Sequence, residues 1–290
     1  MTSRGVFIRS AGLIFLLGMA LQSTECQADI VTLGDAEVDF ANDGTTHDFF
    51  IGENETPIFS MFHFLSIDGS APIGTGESPF TATDFEVNGH QGFVELTYND
   101  GVDDLLQLRI DVELVNPVDG DNFAAIDYDV RFENVSSKSL DLRYYPYYDV
   151  DMNPAEFSSD TAFREGNRIT QRNVNSNPNW QAEFESQDDI SHWEIDIVGS
   201  EDDMLDRLLD AESPIDLKDS TNHLVQDLQF AFQFDRTLGV GESHVNEMTF
   251  RIGATAVPEV SSFHGLLMLT IGFAIYCGVR RSRFMRRSTN

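Results

Sequence analysis

An all-β fold, an antiparallel β-sandwich with one short helix, is what this 290-residue sequence predicts, and three observations predict it. Apolar and polar residues alternate with a period of two through most of the chain. Turn-forming clusters separate the alternating runs at short intervals, and no helical pattern long enough to connect parallel strands stands between them. An uncharged run near the far end adds a C-terminal transmembrane helix to this plan.

The strands come in order. The expected runs are 58–65, 80–87, 93–98, 106–114, 124–133, 140–150, 168–174, 180–185, 192–198, 228–235 and 245–252, which makes about ten or eleven strands at the spacing of a sandwich. In 106–114 every second residue is aliphatic (Leu106, Leu108, Ile110, Val112, Leu114) and Gln107, Arg109, Asp111 and Glu113 alternate with them. One face of such a strand meets a core and the other meets water. Asn99-Asp100-Gly101, Asn134-Val135-Ser136, Glu165-Gly166-Asn167 and Gly239-Val240-Gly241 supply turns. The helix is expected at 204–211: Glu201, Asp202 and Asp203 suit its positive end, Met204, Leu205, Leu208 and Leu209 share a face, and Pro214 stops it.

The two ends read as addresses. Arg4 and Arg9 precede an apolar stretch over 11–21, and Cys26-Gln27-Ala28 offers the small residues of a signal-peptidase site, so cleavage is expected after Ala28. At the other end, 263–279 carries no formal charge, and at about 1.5 Å per residue it spans about 25 Å, the short end of a membrane crossing. Arg280, Arg281 and Arg283 follow as the stop-transfer charges, with Arg286 and Arg287 behind them, which sets the C-terminus in the cytoplasm. The expected division is a signal peptide over 1–28, a β-sandwich ectodomain over 29–253 and a sorting and anchor segment over 254–290.

Val257-Pro258-Glu259, the apolar run and the arginine cluster, in that order at the C-terminus, resemble the PEP-CTERM sorting signal of bacterial exported proteins. Val260 stands where that signal usually has its second proline. The resemblance implies an exosortase-type processing enzyme, the export machinery and the inner membrane as partners, and delivery to the cell surface or an exopolysaccharide matrix. The texture of Phe132-Glu133-Asn134, Leu142 to Asp151 and Phe230 to Ser243 is likewise similar to the β-rich ectodomains that such tails carry.

Charge and cysteine exclude several classes. Acidic residues number 49 against 18 basic ones, for a formal charge of −31. Seven of the basic residues but only Glu25 and Glu259 of the acidic ones lie in the two end segments, so the body is more acidic still. Nucleic acid, which needs a basic footprint, is not an expected partner. Cys26 and Cys277 both fall in the end segments, which leaves the body without disulfide, thiolate zinc site or thiol nucleophile.

For chemistry, Asp149, Asp151 and Asn153 alternate as oxygen ligands for Ca²⁺ would, although the glycine and distal glutamate of a calcium loop are missing. Asp119, Gly120 and Asp121 form a second acidic turn. Tyr144, Tyr145, Tyr147 and Tyr148 put two rings on each face of one strand, and Trp180 and Trp193 sit on others; such rings either pack in the core or stack on sugars. Glu183 and Glu185 read as a solvated strand face rather than a hydrolytic pair. His47, His63, His90, His192, His223 and His244 are scattered without zinc spacing, and no nucleophile elbow, phosphate loop or dinucleotide fingerprint occurs. The resulting expectation is an exported surface or matrix protein without enzymatic activity and without a cofactor. The alternative is a secreted polysaccharide-binding module or polysaccharide-active enzyme, Ca²⁺-dependent if the Asp149 set is real.

Overall fold

The structure, a computed structural model, describes residues 27–33, 36–51, 58–115, 123–151, 160–173, 179–200, 202–221 and 225–255. These form two sheets that pack face to face. Sheet A runs in the order β1 (Ala28–Leu33), β2 (Ala36–Ala41), β3 (Thr46–Ile51), β4 (Ile58–Ile67), β10 (Leu140–Asp151), β16 (Leu228–Leu238), β14 (His192–Ile197), β15 (Ser220–Thr221), with β5 (Ile73–Gly74) paired to β4. Sheet B runs β11 (Asp160–Glu165), β12 (Arg168–Asn173), β13 (Asn179–Ser186), β17 (Ser243–Thr255), β9 (Phe123–Asn134), β8 (Asp104–Val115), β7 (Gln91–Asn99), β6 (Phe80–Asn88). All pairings are antiparallel except the two-residue contact of β14 with β15.

The all-β sandwich is therefore as the alternation predicts, and each of the eleven expected runs is a strand. The strand count is corrected upward, to seventeen among the described residues. β5 and β15 are two residues long, too short to show a period, and β1, β2, β3 and β11 are six residues each, too brief for their alternation to stand out. The expected cleavage point after Ala28 falls at the first residue of β1, where Ala28 pairs with Ala41. The expected membrane span, the stop-transfer arginines and Val257, Pro258 and Glu259 lie outside the described residues, among which no helix is long and apolar enough to cross a membrane.

The inter-sheet core is aromatic. Tyr148 lies 4.0 Å from Phe184 and 5.1 Å from Phe230, centroid to centroid, and Phe132 meets Tyr144 at 5.1 Å. Such ring pairs add to the area they bury. Tyr144 and Tyr148 point into this core, as period two requires, while Tyr145 and Tyr147 point to the opposite face of sheet A. That second face is partly covered. Helix α1 (Met204–Asp210) and the segment after it lie across it, burying Met204, Leu208 and Leu217 against Phe64, Tyr145 and Tyr147. Asp203 caps α1 by accepting from the N–H groups of Leu205 and Asp206. Met204 and Leu208, one turn apart, are the buried pair; Leu209, expected on the same face, is half exposed.

Candidate functional site

Where α1 and the segment after it cover part of the outer face of sheet A, the outer face of sheet B is open. It holds a cleft of about 690 Å³, continuous through Arg109 and Asp111 with a second of about 370 Å³. The floor is built by the polar positions of β7, β8, β9 and β17, and its far rim by Glu86 and Asn88 of β6. At that rim β6 and β7 meet in a two-residue turn, Gly89-His90, opened by a glycine at φ +65°.

Strand register sets the geometry. Asp111 of β8 pairs with Asp129 of β9, and Asp129 pairs with Glu247 of β17, so three carboxylates stand in one row across three neighbouring strands. Phe93 of β7 completes the row beside Asp111. In the next row on one side, Glu113 pairs with Asp127, which pairs with Thr249, and the Thr249 hydroxyl donates to Asp127 Oδ1 at 2.6 Å. On the other side Glu95 pairs with Arg109.

Like charges directly opposite on a sheet destabilise it. The row is hydrogen-bonded to a cation at one end: the Arg109 guanidinium donates from Nε and Nη2 to Asp111, at 2.7 to 3.0 Å, and from Nη1 to Glu95 at 2.7 Å, while its plane lies 4.0 Å over the Phe93 ring. That bidentate pair gives Asp111 a fixed cationic partner. Asp129, in the middle, has its carboxyl raised above the ordinary range, first by desolvation and then by Glu247, Asp111 and Asp127; Arg131 opposes weakly. The cleft thus joins a carboxylate paired with a guanidinium to a neighbour that keeps its proton to higher pH, a difference in setting that acid–base chemistry can use.

The residues singled out from sequence fare differently. Asp149 lies on the covered face of sheet A, its pKa pushed up to about 6 by burial and then by Asp227 and Asp203. Asp151 ends β10, and Asn153, like Asp119, Gly120 and Asp121, lies outside the described residues. No group of three or more His, Asp or Glu among the described residues is placed to hold a metal. All four tyrosines of β10 are buried, which removes them as a stacking surface. Trp180 and Trp193 pack on the core, and Arg164 covers Trp193 at 4.8 Å. Glu185 pairs with Arg251 at 3.0 Å and Glu183 lies 3.9 Å from Arg168, ion pairs at the β12–β13–β17 side of the same sheet. The histidines stay apart: His47 meets Ser60, His192 meets Asp219 and His244 meets Asp188. His63 is buried in the core, and His223 is outside the described residues. His90, 3.5 Å from Glu113, stands nearest the cleft.

No family model and no curated protein matches the sequence. Solved structures share the fold. An Escherichia coli K12 protein described as an aldose 1-epimerase is similar with a TM-score of 0.50 at 8% identity, over 79% of this chain and 100% of that one. A bacterial glucoamylase, solved in complex with acarbose, is similar with a TM-score of 0.51 at 12% identity, over 78% of this chain. The chain spans only 32% of that glucoamylase. The expectation of a protein without enzymatic activity is corrected here. It rested on the lack of a linear catalytic motif, and this fold is one that carbohydrate-active enzymes carry, with carboxylates that only strand pairing brings together. At such identities the likeness establishes the fold, and the fold is that of a two-sheet sandwich found in proteins described as acting on sugars.

Proposed function

We propose that this chain is an exported carbohydrate-active protein that takes a glycan into the cleft on the outer face of sheet B and presents Asp111, Asp129 and Glu247 to it. The observation that carries the reading is the in-register carboxylate row, in an open cleft of about 690 Å³ with Phe93 and Arg109 at its end. Sugar hydroxyls are matched by carboxylate acceptors and by the side chains of Asn88, Gln91 and Thr249, which also line it. In the chemistry this supports, one carboxyl of the row gives a proton to a sugar oxygen while another accepts one. The membership of the fold among sugar-handling proteins is a supporting analogy.

The export half of the reading is supported by the end segments: a signal peptide over 1–28, an anchor over 263–279 held by Arg280, Arg281 and Arg283, and an exosortase-type cut near Pro258-Glu259 that releases the body toward an exopolysaccharide matrix. Mass spectrometry of the native protein tests it; an intact Arg287–Asn290 end would remove the cut while leaving the anchor.

For the cleft, the test is titration of the purified full-length protein with a panel of oligosaccharides, followed by polarimetry and reducing-end assay on those that bind. Asp129→Asn is expected to abolish turnover, with at least a hundredfold loss, and to leave the fold intact by circular dichroism. Unchanged activity in Asp129→Asn, Asp111→Asn and Glu247→Gln alike would move the site elsewhere.

A further inference from the structure

The cleft also distinguishes between classes of glycan; this step rests on the reading just given. Six carboxylates and, among the described residues, one cation, Arg109, line its larger part, and Arg131 lines the smaller part continuous with it. Arg109 is committed: two carboxylates take its hydrogen bonds and Phe93 takes its face. A uronate, sulfate or phosphate seated over the row would therefore meet the Asp129 and Glu247 carboxylates, with Arg131 at the edge of the cleft as the one further cation.

The same row favours the opposite charge. Neighbouring strands lie about 4.8 Å apart, so a single cation seated over the row lies within ion-pair reach of two adjacent carboxylates and relieves the repulsion between them. Asp129 and Glu247 form the half of the row that Arg109 does not reach. A bound metal is not the fitting cation, because no three acidic or histidine side chains among the described residues are placed as ligands. An ammonium group suits the site: it needs acceptors on one side only, and a sugar ring carries it into a cleft that already offers amide and hydroxyl partners in Asn88, Gln91 and Thr249.

We propose that the cleft takes a glycan bearing free amino groups, an oligomer or polymer of amino sugars, with an ammonium over Asp129 and Glu247. Acetylation of the amine removes the charge and with it the preference, and acidic glycans are disfavoured.

Calorimetric titration of the full-length protein with a glucosamine tetramer, its fully N-acetylated form and a galacturonate tetramer tests this. The free-amine tetramer is expected to bind at least tenfold tighter than the acetylated one, and the galacturonate to give no heat. Because any polycation is attracted to so acidic a protein, two double variants are compared. Asp129→Asn with Glu247→Gln should erase the tenfold margin. Asp103→Asn with Asp210→Asn, which removes the same charge at exposed positions in the β7–β8 turn and at the end of α1, should keep it. Equal affinity for the amine and its acetylated form, tighter binding of the galacturonate, or equal losses in both double variants overturns the amino-sugar preference while leaving the glycan reading standing. Binding of none of the three, nor of any neutral oligosaccharide, overturns both.

Discussion

Two side chains on opposite faces of sheet A, one buried and one half-buried, give the molecule opposing acid responses. His63 is wholly buried in the inter-sheet core, 2.6 Å from the Tyr144 hydroxyl, and burial lowers its pKa to about 4, against which Asp43 and the Gly44 backbone act only in part. Its folded pKa lies below the ordinary 6.5, so the unfolded chain takes the proton first and stability is lost as pH falls from about 6.5 toward 4. Asp149 behaves in reverse. Its folded pKa of about 6 lies above the ordinary 3.8, so the folded chain takes the proton first and stability is gained as pH falls through 6 toward 4. Each slope is about 1.4 kcal/mol per pH unit, and the two nearly cancel across that window. Asp149→Asn removes the second. The variant is expected to be more stable than the parent by about 2 kcal/mol at pH 7, a figure reduced for the partial exposure of the carboxylate, and to lose that advantage by pH 4. Urea denaturation at pH 7, 5.5 and 4 measures it; parallel curves for the two proteins would mean that Asp149 does not titrate in this range.

At the scale of elements, α1 and its following segment decide which face of the sandwich is open. They are held by more than Met204 and Leu208. Glu194 of β14 is 1% exposed, and it accepts from Arg207 of α1 at 2.6 Å and from the Lys218 backbone N–H at 3.0 Å. Arg207→Ala leaves buried Glu194 with the Lys218 ammonium at 3.5 Å as its remaining ion pair and without its shortest hydrogen bond, a change that costs about 2 kcal/mol. The loss is expected to appear as faster hydrogen exchange in residues 204–218 and a lower urea midpoint; unchanged exchange there would show that the apolar contacts alone hold the helix. These elements also show what sequence makes legible. A strand as long as β8 displays its period within itself, and α1 displays its cap and its i, i+4 pair, so both could be read. The cleft could not. Asp111, Asp129 and Glu247 each look like an ordinary solvated position, and what makes them a row is the pairing of β17 with β9, which joins residues more than a hundred positions apart. Pro146 shows the same limit. It sits inside β10, a central strand, where proline argues against a ladder. The structure keeps one register between β10 and β16 on both sides of it, Tyr144 with Phe234 and Tyr147 with Ala231, with no pairing at Tyr145 and Pro146 between them.

For the whole molecule, the formal charge of −31 acts on stability and on binding with opposite signs. Self-repulsion of the acidic surface opposes the compact state, and screening relieves it. The Debye length falls from about 10 Å at 0.1 M salt to about 3 Å at 1 M, a change that reaches the exposed carboxylates of sheet B more than the buried pairs of sheet A. Raising sodium chloride across that range is therefore expected to raise Tm by several degrees. The same screening weakens an ammonium held over Asp129 and Glu247, so affinity for an amine-bearing glycan should fall about tenfold over the interval, while a neutral glycan in the same cleft should change little. Scanning calorimetry and titration on one preparation read both slopes together. A Tm that falls with salt would show that ion pairs such as Arg207 with Glu194 and Arg109 with Asp111 outweigh the repulsion. A salt-insensitive affinity for the amine would remove the carboxylate row from recognition and leave Phe93, Asn88 and Gln91 to account for it.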